Sequence, residues 1–355
     1  MKSKAALATL LILYCGSANA MGKQEIDTSS FYESNPTYRD SVNDDSTWTF
    51  STPAAVGLNE KNLIKAADSF GKKSKSFSMV VVKKNALVFE RYFHGANKQA
   101  SNNVHSASKS ILSAAVGIAI AKGFIRSIDQ NVTDFLPQAP RDLTLRHLLT
   151  MSSGIDWTED STEYQIEKEK DWVQAILRLR FPDRPGEKFL YSTGLTHLLS
   201  AVISKATGQS LAAFARANLF QKIGIADERW GADPQGISSG GYNLYLTPRE
   251  MAKFGRLYVN GGVWNGQQVV PKAWVDESLK FQINARAGSD YGLLWWQRNM
   301  NGHAVKFAWG YGGQLIYIVP ALELVVVFTT NTRGVDPNFE ADALLKSYIL
   351  PAARP

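Results

Sequence analysis

Ser106 and Lys109 lie three residues apart in His105-Ser106-Ala107-Ser108-Lys109, at the head of an apolar run. On a helix that spacing puts both side chains on one face. A serine hydroxyl is a weak nucleophile until a base takes its proton. A lysine can be that base when burial disfavours its ammonium form. The residues after Lys109 are apolar enough to provide such a surround. A helix N-terminus also offers free N–H groups and a positive dipole end to a developing oxyanion. Alone, Ser-x-x-Lys is a weak signal. Ser106 also reads as a helix cap and Lys109 as a snorkelling surface lysine. Ile111, Leu112, Ala114, Ala115, Val116, Ile118, Ala119 and Ile120 make the helix apolar almost all round, and a solvent-facing lysine is awkward there.

A second element is Pro185-Gly186-Glu187-Lys188-Phe189-Leu190-Tyr191-Ser192-Thr193. A turn leads to Tyr191 just before a helix that begins near Leu195. A tyrosine placed there can point its phenol into a cleft. Beside a lysine ammonium its pKa is expected to fall, so that it exchanges protons with a leaving group or water. It also reads as a packed tyrosine with a satisfied hydroxyl. The third element is Ala308-Trp309-Gly310-Tyr311-Gly312-Gly313-Gln314. Its three glycines let a strand approach a ligand closely, or form a bulge or turn.

The surrounding sequence predicts the elements that carry these residues. Ser78 to Val82 and Leu87 to Phe93 flank Lys83-Lys84-Asn85 and read as a β-hairpin. A buried helix runs from Ser106 to Lys122-Gly123. Thr144 can cap a short helix through Leu145, Leu148 and Leu149 that stops at Gly154. Leu195, Leu198, Leu199, Val202 and Ile203 have helical spacing, and Gly208 closes that helix. Ser210 starts another. Thr247-Pro248-Arg249-Glu250 is a capping box with proline at the first helical position. Trp295 and Trp296 read as a strand. Gln314 to Val319 and Leu322 to Phe328 form a second hairpin around Pro320-Ala321, and Phe339 to Leu350 a closing helix. Strands at both ends and helices between them predict an α+β fold. The expected division is a discontinuous sheet domain of residues 51–105 and 235–355 and a helical domain of residues 106–234. The active site is expected in the cleft between them.

The 355 residues carry a net charge of +7, with 45% hydrophobic and 20% charged residues. That mixture excludes wholesale disorder, collagen and coiled coil. Lys2 and Lys4, an apolar stretch from Ala5 to Tyr14, and Ala18-Asn19-Ala20 read as a signal peptide cleaved after Ala20. The stretch is too short to span a bilayer, so no transmembrane helix is expected in the mature chain. A periplasmic or secreted protein is expected. Residues 21–50 read as an extended or loosely docked arm. Cys15 is the single cysteine, so cleavage would leave none and exclude thiol catalysis and Cys-ligated metals. The basic residues are dispersed, without the stripe that nucleic-acid binding needs. His94, His105, His147, His197 and His303 have no metal-ligand spacing, so no metal site is expected. His197 is most simply structural. Gly236-Ile237-Ser238-Ser239-Gly240 satisfies G-x-S-x-G. It follows a polar segment with Pro234 rather than a buried strand, and reads as a loop instead of a nucleophile elbow.

Taken together, Ser106-Ala107-Ser108-Lys109, Tyr191-Ser192-Thr193 and Ala308-Trp309-Gly310 resemble the serine β-lactamase and DD-peptidase superfamily. The likeness is to the branch with class C β-lactamases, esterases and 6-aminohexanoate-dimer hydrolases. Residues 143–154 and 240–248 support the likeness, which runs from about residue 50 to about residue 350. It implies an antiparallel sheet flanked by helices, with an inserted helical domain. It implies that Ser106 forms an acyl-enzyme, Lys109 takes its proton and Tyr191 relays protons. The backbone N–H groups of Ser106 and Tyr311 would form the oxyanion hole, and no cofactor is needed. Trp157, Thr193, Trp309, Gly310 and Gln314 are the expected substrate contacts. The chain departs from the family at Thr193, where Asn is usual, and at Ala308-Trp309, where Lys or His and then Thr are common. Trp309 favours an apolar substrate. The expected activity is hydrolysis of a small-molecule ester or amide. A DD-peptidase or weak β-lactamase is the enzyme alternative, and a sensor that is acylated without turnover, or a silent scaffold, the non-enzyme ones. Nothing in the sequence indicates an oligomeric state.

Overall fold

The computed structural model describes residues 37–38, 45–286, 288–332 and 341–353. The expected signal segment lies outside the described residues, as does most of the expected arm. Two pieces of that arm join sheets. Thr37–Tyr38 pairs with Ala100–Asn103, and Thr49–Phe50 pairs in parallel with the strand Ala86–Tyr92.

The main sheet has nine described strands: β1 (Thr49–Phe50), β2 (Ser76–Lys83), β3 (Ala86–Tyr92), β4 (Ile283–Arg286), β5 (Ser289–Tyr291), β6 (Trp296–Met300), β7 (His303–Gly310), β8 (Gln314–Val319) and β9 (Leu324–Thr330). Their spatial order is β4-β5-β6-β7-β8-β9-β2-β3-β1. All pairings are antiparallel except that of β1 with β3. The first hairpin turns on Lys84 and Asn85, both with positive φ, which suits the right-handed twist of the strands it joins. The last hairpin starts its second strand at Leu324, two residues later than expected. Pro320–Leu322 closes a 3-10 turn first, and Glu323 then takes a left-handed conformation. Trp296 opens β6, whereas Trp295 lies just before it.

Alternation along β8 and β9 buries both faces of the sheet. Ile316, Ile318 and Val325 meet the helix Pro248–Val259 at Gly255, where an added Cβ would come within 2.5 Å of Val325. On the other face Phe328 packs edge-on against Phe70, with ring centroids 5.0 Å apart, and the Tyr317 hydroxyl donates to Asp342 at 2.7 Å.

The helices bearing on the site are α1 (Glu60–Gly71), α2 (Ser108–Ala121), α3 (Leu145–Leu149), α4 (Glu159–Glu167), α5 (Trp172–Leu177), α6 (Thr193–Thr207), α7 (Leu211–Ala215) and α8 (Pro248–Val259). Local chemistry sets several of their ends. Gly208 closes α6 in a left-handed conformation, and the Ser210 hydroxyl accepts the Ala213 N–H to start α7. The Thr247 and Glu250 side chains each accept the other's backbone N–H at α8. α2 is buried from Ser108 to Ala119. The described residues belong to one compact unit with one buried core. No helix among them is long and apolar enough to cross a membrane.

Candidate active site

Ser106 sits in the 3-10 turn His105–Ala107, two residues before the start of α2, and Lys109 is in the first turn of that helix. The turn is entered through His105 at φ 47°, a strained conformation for a non-glycine residue. Ser106 is half-buried, whereas Lys109 is 1% exposed. Lys109 Nζ donates to Ser106 Oγ at 2.9 Å, Thr193 Oγ1 at 3.0 Å and the Gly241 carbonyl at 3.1 Å. This geometry realises the pairing predicted from the spacing, and excludes a snorkelling lysine.

Each of these partners is held by a different element. Thr193 opens α6. Gly241 stands just before the strand Leu244–Leu246, which pairs with Ala100–Asn103, and Val104 N–H donates to Leu244 O at 2.8 Å. A Cβ at Gly240 would lie 1.9 Å from the Thr196 carbonyl. One at Gly241 would lie 2.7 Å from Lys109 Nζ. Only glycines let this loop reach the lysine.

Gly310 ends β7. A Cβ there would lie 2.1 Å from the Val104 carbonyl, so the strand passes directly against the residue that precedes the serine turn. Tyr311 follows, its ring edge-on to His105 at 5.8 Å. Gly312 and Gly313, both with positive φ, turn the chain into β8.

Tyr191 lies beside Lys109, whose Nζ is 5.0 Å from the ring centroid. The Tyr191 pKa does not fall, contrary to expectation. Burial raises it, Glu159 pushes the same way, and the opposing effects of Lys109 and Ser106 are outweighed. Tyr191 is therefore a neutral phenol, suited to donate a proton. Burial, helped by the Lys109 charge, lowers the His105 pKa to about 4, so its imidazole is neutral at pH 7.

The expected substrate contacts divide. Trp309 is 40% exposed and Tyr311 46% exposed. Trp309 stands edge-on to Trp296 at 5.6 Å, and Trp296 stacks on Tyr191 at 5.6 Å, which makes an aromatic wall beside the serine. Gln314 does not contribute, contrary to expectation. It is fully buried, and its amide bonds the backbone and hydroxyl of Thr330. Thr193 does not offer its hydroxyl to substrate as expected, because that hydroxyl is engaged by Lys109 and Glu159. Trp157 is 5% exposed; it packs on Gly194, and its indole N–H donates to Glu159 Oε1 at 2.6 Å. Glu159, Gly241 and Trp296 are the site residues that sequence reasoning missed as site residues. Gly241 and Trp296 lie in stretches it had singled out for other reasons. The one signal for Glu159 is its place two residues after Trp157.

The rival Ser238 is 2% exposed in a loop, and its Oγ accepts the Ala212 N–H at 3.1 Å. No buried strand leads to it and no helix follows. His197 bonds Asp233 at 3.0 Å and is structural. Among the described residues no three His, Cys, Asp or Glu side chains converge as metal ligands.

Residues 63–349 match the family model described as Beta-lactamase. The chain is 24% identical over 283 residues to the 6-aminohexanoate-dimer hydrolase of Paenarthrobacter ureafaciens, covering 70% of this chain and 71% of that one. It is 24% identical over 330 residues to an uncharacterised protein of Alkalihalophilus pseudofirmus, covering 80% of this chain and 91% of the other. A Bacillus anthracis structure provisionally named a 6-aminohexanoate-dimer hydrolase superposes with a TM-score of 0.70 at 21% identity, over 88% of each chain. With the sheet and helices arranged as in these folds and the match spanning most of its length, the chain belongs to the beta-lactamase family and is a hydrolase.

Proposed function

We propose that the protein is an exported serine hydrolase that cleaves a small ester or linear amide through an acyl-enzyme on Ser106. The observation that carries this reading is the 2.9 Å contact between Lys109 Nζ and Ser106 Oγ, made by a lysine with almost no exposure. In its amine form Lys109 accepts the serine proton as Oγ attacks the carbonyl carbon. The resulting oxyanion lies at the N-terminal end of α2, where the backbone N–H groups of Ser106 and Tyr311 stabilise it. As the carbonyl re-forms, the Tyr191 phenol gives its proton to the departing alkoxide or amine, and Lys109 restores it. Water then attacks the acyl-enzyme by the same steps reversed, releasing the acid and regenerating Ser106.

The aromatic wall of Trp296 and Trp309 supports an apolar acyl group. The absence of a cationic or threonine side chain at Ala308 and Trp309 removes the charge-assisted contact a carboxylate-bearing substrate would use. Export rests on the character of residues 1–20 alone.

The test is p-nitrophenyl butyrate hydrolysis at neutral pH by the wild type and Ser106→Ala. Sustained turnover in the first and none in the second is expected. Equal turnover in both would refute Ser106 as the nucleophile.

A further inference from the structure

The hydrogen bonds around Lys109 continue beyond it. The Thr193 hydroxyl accepts from Lys109 Nζ and donates to Glu159 Oε2 at 2.7 Å. The other oxygen, Glu159 Oε1, accepts the Thr193 backbone N–H at 2.6 Å and the Trp157 indole N–H at 2.6 Å. A carboxylate has no proton to give, so Glu159 leaves the Thr193 hydroxyl one orientation: hydrogen toward Glu159, lone pair toward Lys109.

That orientation constrains the base. An amine-form lysine has two N–H donors and one lone pair, and around Lys109 Nζ stand the Gly241 carbonyl and the hydroxyls of Thr193, Ser106 and Tyr191. The Gly241 carbonyl can only accept. Thr193, held by Glu159, can only accept as well. Once Lys109 has lost the proton it shares with Ser106, both remaining N–H bonds are committed to these two oxygens, and the lone pair is left on the side of the Ser106 hydroxyl, with the Tyr191 phenol beside it. We propose that Glu159 is a positioning residue that acts through Thr193 to aim the Lys109 lone pair at Ser106. This inference rests on the acyl-transfer reading above and adds to it a carboxylate that touches neither the serine nor the lysine.

Glu159 also caps α6, because Ser192 supplies no side-chain cap and Glu159 takes the Thr193 N–H. The two roles use different oxygens, so Glu159→Gln separates them. The amide oxygen can keep the N–H groups of Thr193 and Trp157. The NH2 then stands where Oε2 was, and it can only donate to Thr193 Oγ1. The threonine proton must turn toward Lys109 and compete for its lone pair. Shape and cap survive, and the polarity of the chain reverses.

The experiment measures kcat and KM for p-nitrophenyl butyrate, with urea midpoints, for the wild type, Glu159→Gln, Thr193→Ser, Thr193→Val, the Glu159→Gln/Thr193→Val double variant and Ser106→Ala. General-base catalysis contributes about 10²–10⁴-fold. Glu159→Gln is therefore expected to lower kcat roughly 10- to 100-fold, with KM within about twofold and the urea midpoint unchanged. Thr193→Ser keeps the hydroxyl and is expected to keep most of kcat. Thr193→Val is expected to match Glu159→Gln, and the double variant to lose nothing more. If Thr193→Val does not fold, the contrast between Glu159→Gln and Thr193→Ser carries the comparison. Wild-type kcat in Glu159→Gln would overturn the proposal. So would a loss that tracks a lowered urea midpoint, or losses that multiply in the double variant. Activity surviving in Ser106→Ala would instead overturn the underlying acyl-enzyme reading, so the two failures are distinct.

Discussion

Replacing Gly241 by alanine adds one methyl group at the most crowded point of the site. Gly241 is not in a left-handed conformation, so the cost is steric rather than conformational. The new Cβ would lie 2.7 Å from Lys109 Nζ, 2.8 Å from Thr193 Cγ2 and 2.8 Å from Thr196 Oγ1. Comfortable separations of carbon from its neighbours are about 3.5–4.0 Å, so something must move by roughly 1 Å. Thr193 and Thr196 are fixed in α6, and Lys109 is the flexible member. Displacing Nζ that far breaks the 2.9 Å contact with Ser106. A misplacement of about 1 Å costs on the order of 10²-fold in rate. Overpacking costs about 1–3 kcal/mol of stability. Gly241→Ala is therefore expected to fold, with a urea midpoint lowered accordingly, and to hydrolyse p-nitrophenyl butyrate about 100-fold more slowly. A kcat within threefold of wild type in a folded protein would refute the claim that this loop sets the lysine.

Three other predictions follow from the same geometry. Tyr191→Phe removes the proton donor while keeping the stack on Trp296, and should lower kcat by about 10²–10⁴-fold; unchanged kcat would remove Tyr191 from the relay. Trp309→Ala should raise KM for butyryl and longer acyl esters more than for acetyl esters, because it strips one side of the aromatic wall; a uniform change across chain lengths would contradict the assignment. The third concerns pH. His105 titrates near 4 when folded and at about 6.5 when unfolded, so the unfolded chain binds more protons in that window. Its contribution to stability, about 3 kcal/mol, is present above about pH 6.5 and is lost as the pH falls to 4. Burial raises Glu167 to about 7, which acts in the opposite sense between about 4.5 and 7. Urea unfolding from pH 4 to 7 should thus show a steeper loss at acid pH in Glu167→Gln and a shallower one in His105→Asn. Identical slopes in all three proteins would contradict it.

What the sequence made legible is what short-range chemistry decides. The Thr247–Glu250 capping box, the Gly208 stop and the apolar run of α2 are local features, and each lies where its residues require. The Ser106–Lys109 pair was legible for the same reason, since three residues of helix are enough to join them. Glu159 and Gly241 were not legible as parts of the site. They reach it from 34 residues before Thr193 and 132 residues after Lys109. Only tertiary packing brings them there. Gln314 was misread because a residue beside a glycine turn can face either side of its sheet, and strand register decided the matter. The sign of the Tyr191 shift was missed because a neighbouring cation can be guessed from a motif, whereas the depth of burial cannot. Thr193 looked like a shortened substrate contact, yet its hydroxyl serves the base.

The central claim is that the acyl group is carried on Ser106. The most direct measurement is intact-protein mass spectrometry of an acid-quenched reaction with p-nitrophenyl butyrate, followed by peptide mapping. A single butyryl adduct on the peptide that contains Ser106, absent from Ser106→Ala, is the predicted result. An adduct on another residue, Ser238 included, in an actively turning-over enzyme would contradict it.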